Sequence, residues 1–115
     1  MDDLTEILKG VLEGAVMQIL VHGESYGYEI VRALNQAGFT SVSEGTVYPI
    51  LLRFEKRGQV DVAKVTSQVG PPRKVYTLNA AGEAALVSFW QRWDFVSACL
   101  IGIKQNKQGK EASNG

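Results

Sequence analysis

The spacing of apolar residues switches at Gly58 from the three-to-four-residue step of a helix to the alternation of a strand, and near Asn79 it switches back. A chain of 115 residues patterned this way holds one small α-rich domain with a single β insertion. Ahead of the switch, Leu4, Ile7, Leu8, Val11, Leu12, Ala15, Val16, Ile19 and Leu20 fall on one stripe of a first helix, which Gly23 ends. Ser25 is placed to cap a second, shorter helix, with Ile30, Val31 and Leu34 inward and Gly38 as its stop. A third helix lies within Ser43 to Arg57, because Val47, Ile50, Leu51 and Phe54 stand at i, i+3, i+4 and i+7. Pro49 leaves two starts open, near Thr46 with the proline in the first turn, or at Ser43 with the helix distorted; an irregular start is expected.

After Gly58, Val60 and Val62 alternate with polar neighbours, and Val75 to Leu78 follow beyond Ser67 to Pro72. This predicts a two-stranded hairpin with Gly70-Pro71-Pro72 at a stiff tip. Asn79 suits the N-cap of a last long helix, in which Leu86, Phe89, Trp93, Val96, Leu100 and Ile103 form a heptad seam. The expected fold is mainly α with a small β-hairpin wing. Residues 1–78 form a winged helix-turn-helix, 79–104 a C-terminal helix, and 105–115, which lack an apolar period, a flexible tail.

Twelve basic and twelve acidic residues leave no net charge, but their distribution is uneven. Met1 to Val31 holds one base and six acids, whereas Arg32 to Asn79 holds seven bases and three acids. A basic middle is therefore hidden in a neutral chain. The N-terminus is acidic where a secretory signal needs positive charge, and no apolar run approaches a membrane span, so a cytoplasmic protein without a membrane partner is expected. The single cysteine, Cys99, reads as a small apolar helix residue. One histidine, His22, without a Cys/His cluster, nucleophile elbow or phosphate-binding glycine loop, argues against an enzyme and gives no reason to expect a cofactor, catalytic residue or metal.

The third helix carries the functional signal. With its apolar stripe turned inward, Gly45, Thr46, Pro49, Leu52, Arg53 and Lys56 face outward, and Tyr48 lies at the flank. Small residues near the start permit close approach to a DNA groove, while hydroxyls and cations suit phosphates and base edges. An ordinary solvated face remains the alternative for this helix alone. Arg73 and Lys74 follow the rigid hairpin tip and are placed to reach the DNA backbone or minor groove beside it. Tyr28 and Tyr48, at the starts of the two helix-turn-helix elements, serve either packing or a phosphate contact, whereas Tyr76 is expected to pack.

Three blocks carry a resemblance: Tyr26-Gly27-Tyr28-Glu29-Ile30, the run from Glu44 to Gly58 (EGTVYPILLRFEKRG), and Gly70-Pro71-Pro72-Arg73-Lys74-Val75-Tyr76-Thr77-Leu78. Together they resemble the PadR family of bacterial transcriptional regulators, over roughly Leu4 to Ile103. The resemblance implies a winged-helix homodimer that represses transcription from double-stranded, palindromic operator DNA and is released by a phenolic acid or planar hydrophobic effector. Carried onto this chain, it makes Ser43 to Arg53 the recognition segment, Arg73 and Lys74 the wing contacts, and the helix after Asn79 the dimerisation element. Val75 stands where an aromatic residue is common in that family.

The last helix has more apolar surface than one small domain covers, since Trp90, Phe95, Cys99 and Ile101 add to the seam, and a partner helix accounts for it. Trp90 and Trp93, close together on that helix, either fill a dimer core or form an aromatic slot for the effector. The rival reading of the chain is a winged-helix protein-interaction module that does not bind DNA. A shortage of cations on the third helix would favour it, and Arg53, Lys56, Arg73 and Lys74 weigh against it.

Overall fold

The computed structural model describes residues 4–66 and 70–114. Its elements follow in the order α1 (Leu4–Val21), β1 (Ser25–Tyr26), α2 (Gly27–Ala37), α3 (Glu44–Lys56), β2 (Val60–Val65), β3 (Arg73–Leu78) and α4 (Ala80–Asn114). The architecture is the expected winged helix-turn-helix with a long C-terminal helix. Ser67 to Val69, next to the expected wing tip, lie outside the described residues.

The apolar stripes find one another in a single core. Val16 and Leu20 of α1, Ile30 and Leu34 of α2, and Val47, Leu51 and Phe54 of α3 are almost wholly inaccessible to water. At roughly 1.5–3 kcal/mol for each large side chain, this burial is what holds α3 to the rest. On α1 the stripe is shifted from the expected one: Ile7 is exposed, while Met17, outside the predicted set, is buried.

The sheet has three strands in the order β1-β3-β2, all antiparallel, where a two-stranded hairpin was expected. Ser25 and Tyr26 pair with Tyr76 and Val75, and this corrects the expected role of Ser25 as a helix cap. Extended backbone at Ser25 and Tyr26 delays α2 to Gly27, and the first turn is fastened instead by Glu29, whose carboxylate accepts a hydrogen bond from the Tyr26 N–H at 2.8 Å. As the central strand, β3 has neighbours on both edges, and both Val75 and Tyr76 are buried. Val75 thus packs in the sheet without the aromatic ring that the resemblance led one to expect there.

Two turns set the direction of α3. Beyond α2, the Asn35 side-chain amide donates to the carbonyls of Phe39 (2.8 Å) and Val42 (3.0 Å), pinning the loop that leads into α3. The helix begins at Glu44, with the Ser43 carbonyl accepting from Thr46 and Val47. Pro49 sits inside a continuous helix, so neither a late start near Thr46 nor an irregular one is found. The hydrogen bond that Pro49 withholds from Gly45 is lost at an exposed position, where water can replace it. At the other end Gly58 takes φ 69°, a left-handed conformation that turns the chain directly into the wing.

Asn79 is the cap expected of it. Its side-chain oxygen accepts from the Gly82 N–H at 3.0 Å, and its amide donates to the Gly58 carbonyl at 3.0 Å. Helical backbone then continues to Asn114, through most of the segment 105–115 expected as a tail. Lys, Gln, Glu and Ala favour helix, and extending an existing helix needs no new nucleus. Gly82 faces the Gln59 carbonyl and the Leu78 side chain so closely that a Cβ there would collide with both. Gly82→Ala is therefore expected to destabilise the fold by about 1–3 kcal/mol in chemical denaturation, despite its better helix propensity. A variant as stable as the parent would show that the first turn of α4 is not tightly seated.

Candidate nucleic-acid interface

One face of α3 is fixed in the core, so its opposite face is necessarily presented. Gly45, Thr46, Pro49, Leu52, Arg53 and Lys56 are all exposed there, as the periodicity predicts, and Ser43, just ahead of the helix, is exposed as well. Tyr48, also exposed, turns to the flank, where its ring lies against Gly27 at the start of α2. Gly27 is buried and leaves room for that ring, since a Cβ would overlap it.

Between the first turns of α2 and α3 and the base of the wing lies a cleft of about 560 Å³, lined by Tyr26, Tyr28, Glu44, Tyr48, Arg73 and Lys74, with Gly27 and Pro72 completing it. The structure thus brings together residues that the sequence separates by almost fifty positions. Tyr26 and Tyr28 stack with ring centroids 5.8 Å apart, and the Arg73 guanidinium lies 5.5 Å from the Tyr28 centroid, within cation–π range. A planar cation laid on an aromatic surface beside a helix N-terminus is suited to an anion such as a phosphate.

Three further cations, Lys74, Arg53 and Arg57, are paired with acids. Lys74 Nζ is 3.3 Å from Glu55 Oε1, linking wing to α3 on one flank. On the other flank, Arg53 and Arg57 both reach Glu13 of α1, at 3.1 and 2.9 Å. Glu13, Glu55 and Arg57 were not singled out from the sequence. Arg57 shares the phase of Arg53 one turn earlier and was accessible to that argument, but Glu13 is 40 residues from Arg53 and only the folded chain joins them. The Tyr76 phenol is pushed above its ordinary 10.0 by burial first, then by Glu55 and Tyr48, both of which oppose a negative charge there.

The seam residues of the last helix divide into two groups. Leu86 (7% exposed) and Phe89 pack into the chain's own core, Phe89 against Gly14, so of the expected dimerisation seam these two are already covered within the chain. Heptad spacing identifies an apolar stripe but not which neighbour covers it. Val96, Leu100 (62%) and Ile103 (68%) stand open to solvent, together with Phe95 and Ile101. Trp90 and Trp93, each 41% exposed, line an almost wholly apolar hollow of about 330 Å³ with Val11, Ala15, Ile19 and Phe89. Trp90 donates from its indole nitrogen to Gln18 at 2.8 Å and meets Phe89 edge to face. Among the described residues, no helix is long and apolar enough to cross a membrane and no His, Cys, Asp and Glu cluster could hold a metal.

Comparison with known proteins agrees with this architecture. A family model described as the transcriptional regulator PadR-like family matches residues 16–88. A Streptococcus transcriptional regulator is 43% identical, with 87% of this chain and 98% of that one aligned at a TM-score of 0.76. A PadR-like transcriptional regulator from Bacillus cereus is 42% identical, with coverage of 88% and 98% and a TM-score of 0.76. Bacillus subtilis PadR, solved in complex with operator DNA, is 26% identical over 70% of this chain and 45% of its own length, with a TM-score of 0.64. With more than half of its residues in the family model and most of its length aligned with these regulators, the chain belongs to the PadR-like family of transcriptional regulators.

Proposed function

We propose that this protein is a cytoplasmic repressor that binds palindromic double-stranded DNA as a homodimer and leaves it when a small planar hydrophobic or phenolic effector binds. The observation that carries the reading is the exposed face of α3, small at its start and cationic further on, standing beside a cleft where Arg73 lies on Tyr28. In this reading Gly45, Thr46 and Pro49 approach the major groove, Ser43, Tyr28, Tyr48, Arg53 and Lys56 meet backbone or base edges, and Arg73 and Lys74 take the backbone next to the wing. The family relationship to a PadR solved on operator DNA supports it.

Two recognition helices related by a twofold axis require half-sites about one helical turn apart, ~10 bp or a multiple. Arg73→Ala with Lys74→Ala is expected to weaken binding to all DNA sequences and to flatten the slope of log affinity against log salt by up to ~2 units. Titration of labelled duplexes at several salt concentrations measures both; an unaltered affinity and slope removes the wing from the interface.

The bare apolar stripe of α4 supports the homodimer, with Trp93, Val96, Leu100 and Ile103 in contact across it. A charge at Leu100 is exposed in a lone chain but buried in a dimer, where desolvation costs several kcal/mol. Leu100→Glu is therefore expected to yield folded monomers in sedimentation, and a variant that stays dimeric would place the seam elsewhere.

The hollow at Trp90 and Trp93 supports the effector, because its lining offers flat apolar surfaces and the indole–Gln18 hydrogen bond ties Trp90 to another residue of that lining. Titration of planar dyes and phenolic acids is expected to quench tryptophan fluorescence and release DNA in parallel. Trp90→Ala should weaken both, by about 0.5–1.5 kcal/mol for one lost aromatic contact. Ligand binding unaffected in a folded, dimeric variant would falsify the assignment.

A further inference from the structure

The ion pairs flanking α3 differ in geometry. One oxygen of Glu13 accepts from Arg53 Nε at 3.1 Å and the other from Arg57 Nη1 at 2.9 Å, so a single carboxylate spans two arginines one helical turn apart. Gripping Arg53 at Nε leaves its two terminal nitrogens outside this contact, and that pair of donors matches two oxygens side by side. The backbone that carries Glu13 is held firmly, because its neighbours Leu12 and Gly14 are buried in α1 and Gly14 bears the Phe89 ring of α4.

Arg53 stands nine residues beyond Glu44, about 13 Å along the helix axis and past the N-terminal turns that reach base edges. Its terminal nitrogens therefore suit a backbone phosphate. Without an acid beside them, Arg53 and Arg57 would form a mobile doubly charged patch able to follow phosphates on any DNA. With Glu13 the patch carries one net charge, and both guanidinium groups are held to one carboxylate.

We propose that Glu13 is a positioning residue that sets the DNA specificity of this protein, by fixing Arg53 in one register on the phosphate backbone and cancelling charge that would bind DNA of any sequence. The proposal rests on the DNA-binding reading above. Phosphate contacts fix the register of a protein on a duplex without reading its sequence, so a pinned arginine favours the one docking in which the base contacts are also met. A loose one favours all dockings equally. The arginines are about half exposed, so the donors that Glu13 does not engage remain open to a phosphate while the pairs are kept.

The test compares the full-length wild type, Glu13→Gln and Glu13→Asp on two DNAs: a random-sequence duplex, and a duplex selected by the wild type from a random library. Glu13→Gln is expected to bind the random duplex about two- to fivefold tighter, the scale of an exposed ion pair, with a salt slope steeper by up to ~1 unit. Its affinity for the selected duplex should gain less, so the ratio between the two falls. Glu13→Asp keeps the charge but is too short to span both arginines. It should match wild type on the random duplex and bind the selected one about two- to fivefold more weakly. Thermal unfolding establishes that each variant is folded, and if Glu13→Gln is not, the aspartate variant decides. An unchanged ratio in Glu13→Gln, or wild-type behaviour of Glu13→Asp on both duplexes, overturns the proposal. Failure of the wild type to select any DNA overturns instead the reading on which it rests.

Discussion

The buried seam of α3 is the constraint on which the other features depend. Val47, Leu51 and Phe54 share one core cluster with Val16 and Leu20 of α1 and Ile30 and Leu34 of α2. Because that face cannot turn outward without exposing several large apolar groups, the phase of the opposite face is fixed to within a fraction of a residue. The small residues at its start, the tyrosine at its flank and the arginines in its later turns inherit their directions from that seam. The Asn35 side chain and the Ser43 carbonyl then fix where the helix begins along its own axis. Rotation comes from burial, and translation from polar contacts in the turn.

Charge is arranged around this seam differently from what the neutral composition implies. The basic middle of the chain gathers around α3 and the wing, yet acids from α1 and from α3 itself meet part of it. Arg73 lies over a ring instead, where a guanidinium keeps its full charge and its in-plane donors. Cations fixed in this way form a pattern with direction, whereas freely solvated lysines would form only a cloud.

Local periodicity and capping residues were enough to read the four helices, the wing, the Asn79 cap and the outward face of α3. Features requiring knowledge of a distant partner were not legible. Ser25 has every local attribute of a helix cap, but a strand fifty residues later takes its backbone into a sheet. The heptad through Leu86 and Phe89 correctly marked an apolar stripe, and only the folded chain shows that its first two members pack into the chain's own core while the remainder lie open. Pro49 was read from the rule that prolines break helices; an exposed Gly45 carbonyl lets the helix run on. The hydrogen bonds of Glu13 to Arg53 and Arg57 leave no trace in local pattern, because neither partner's neighbours announce the other.

The junction between wing and long helix consists of a single residue. Leu78 ends β3 and Ala80 begins α4, and the Asn79 side chain is bonded on one side to the first turn of α4 and on the other to the Gly58 carbonyl beyond α3. Such a joint has no play. α4 spans 35 residues, about 52 Å of helix, so it acts as a lever whose short end is the wing and whose long end projects away from it. A tilt of about 5° over half that length displaces its far end by roughly 2 Å, comparable to the helix shifts that switch other proteins between states. Whatever grips the far end of this rod therefore also aims the wing.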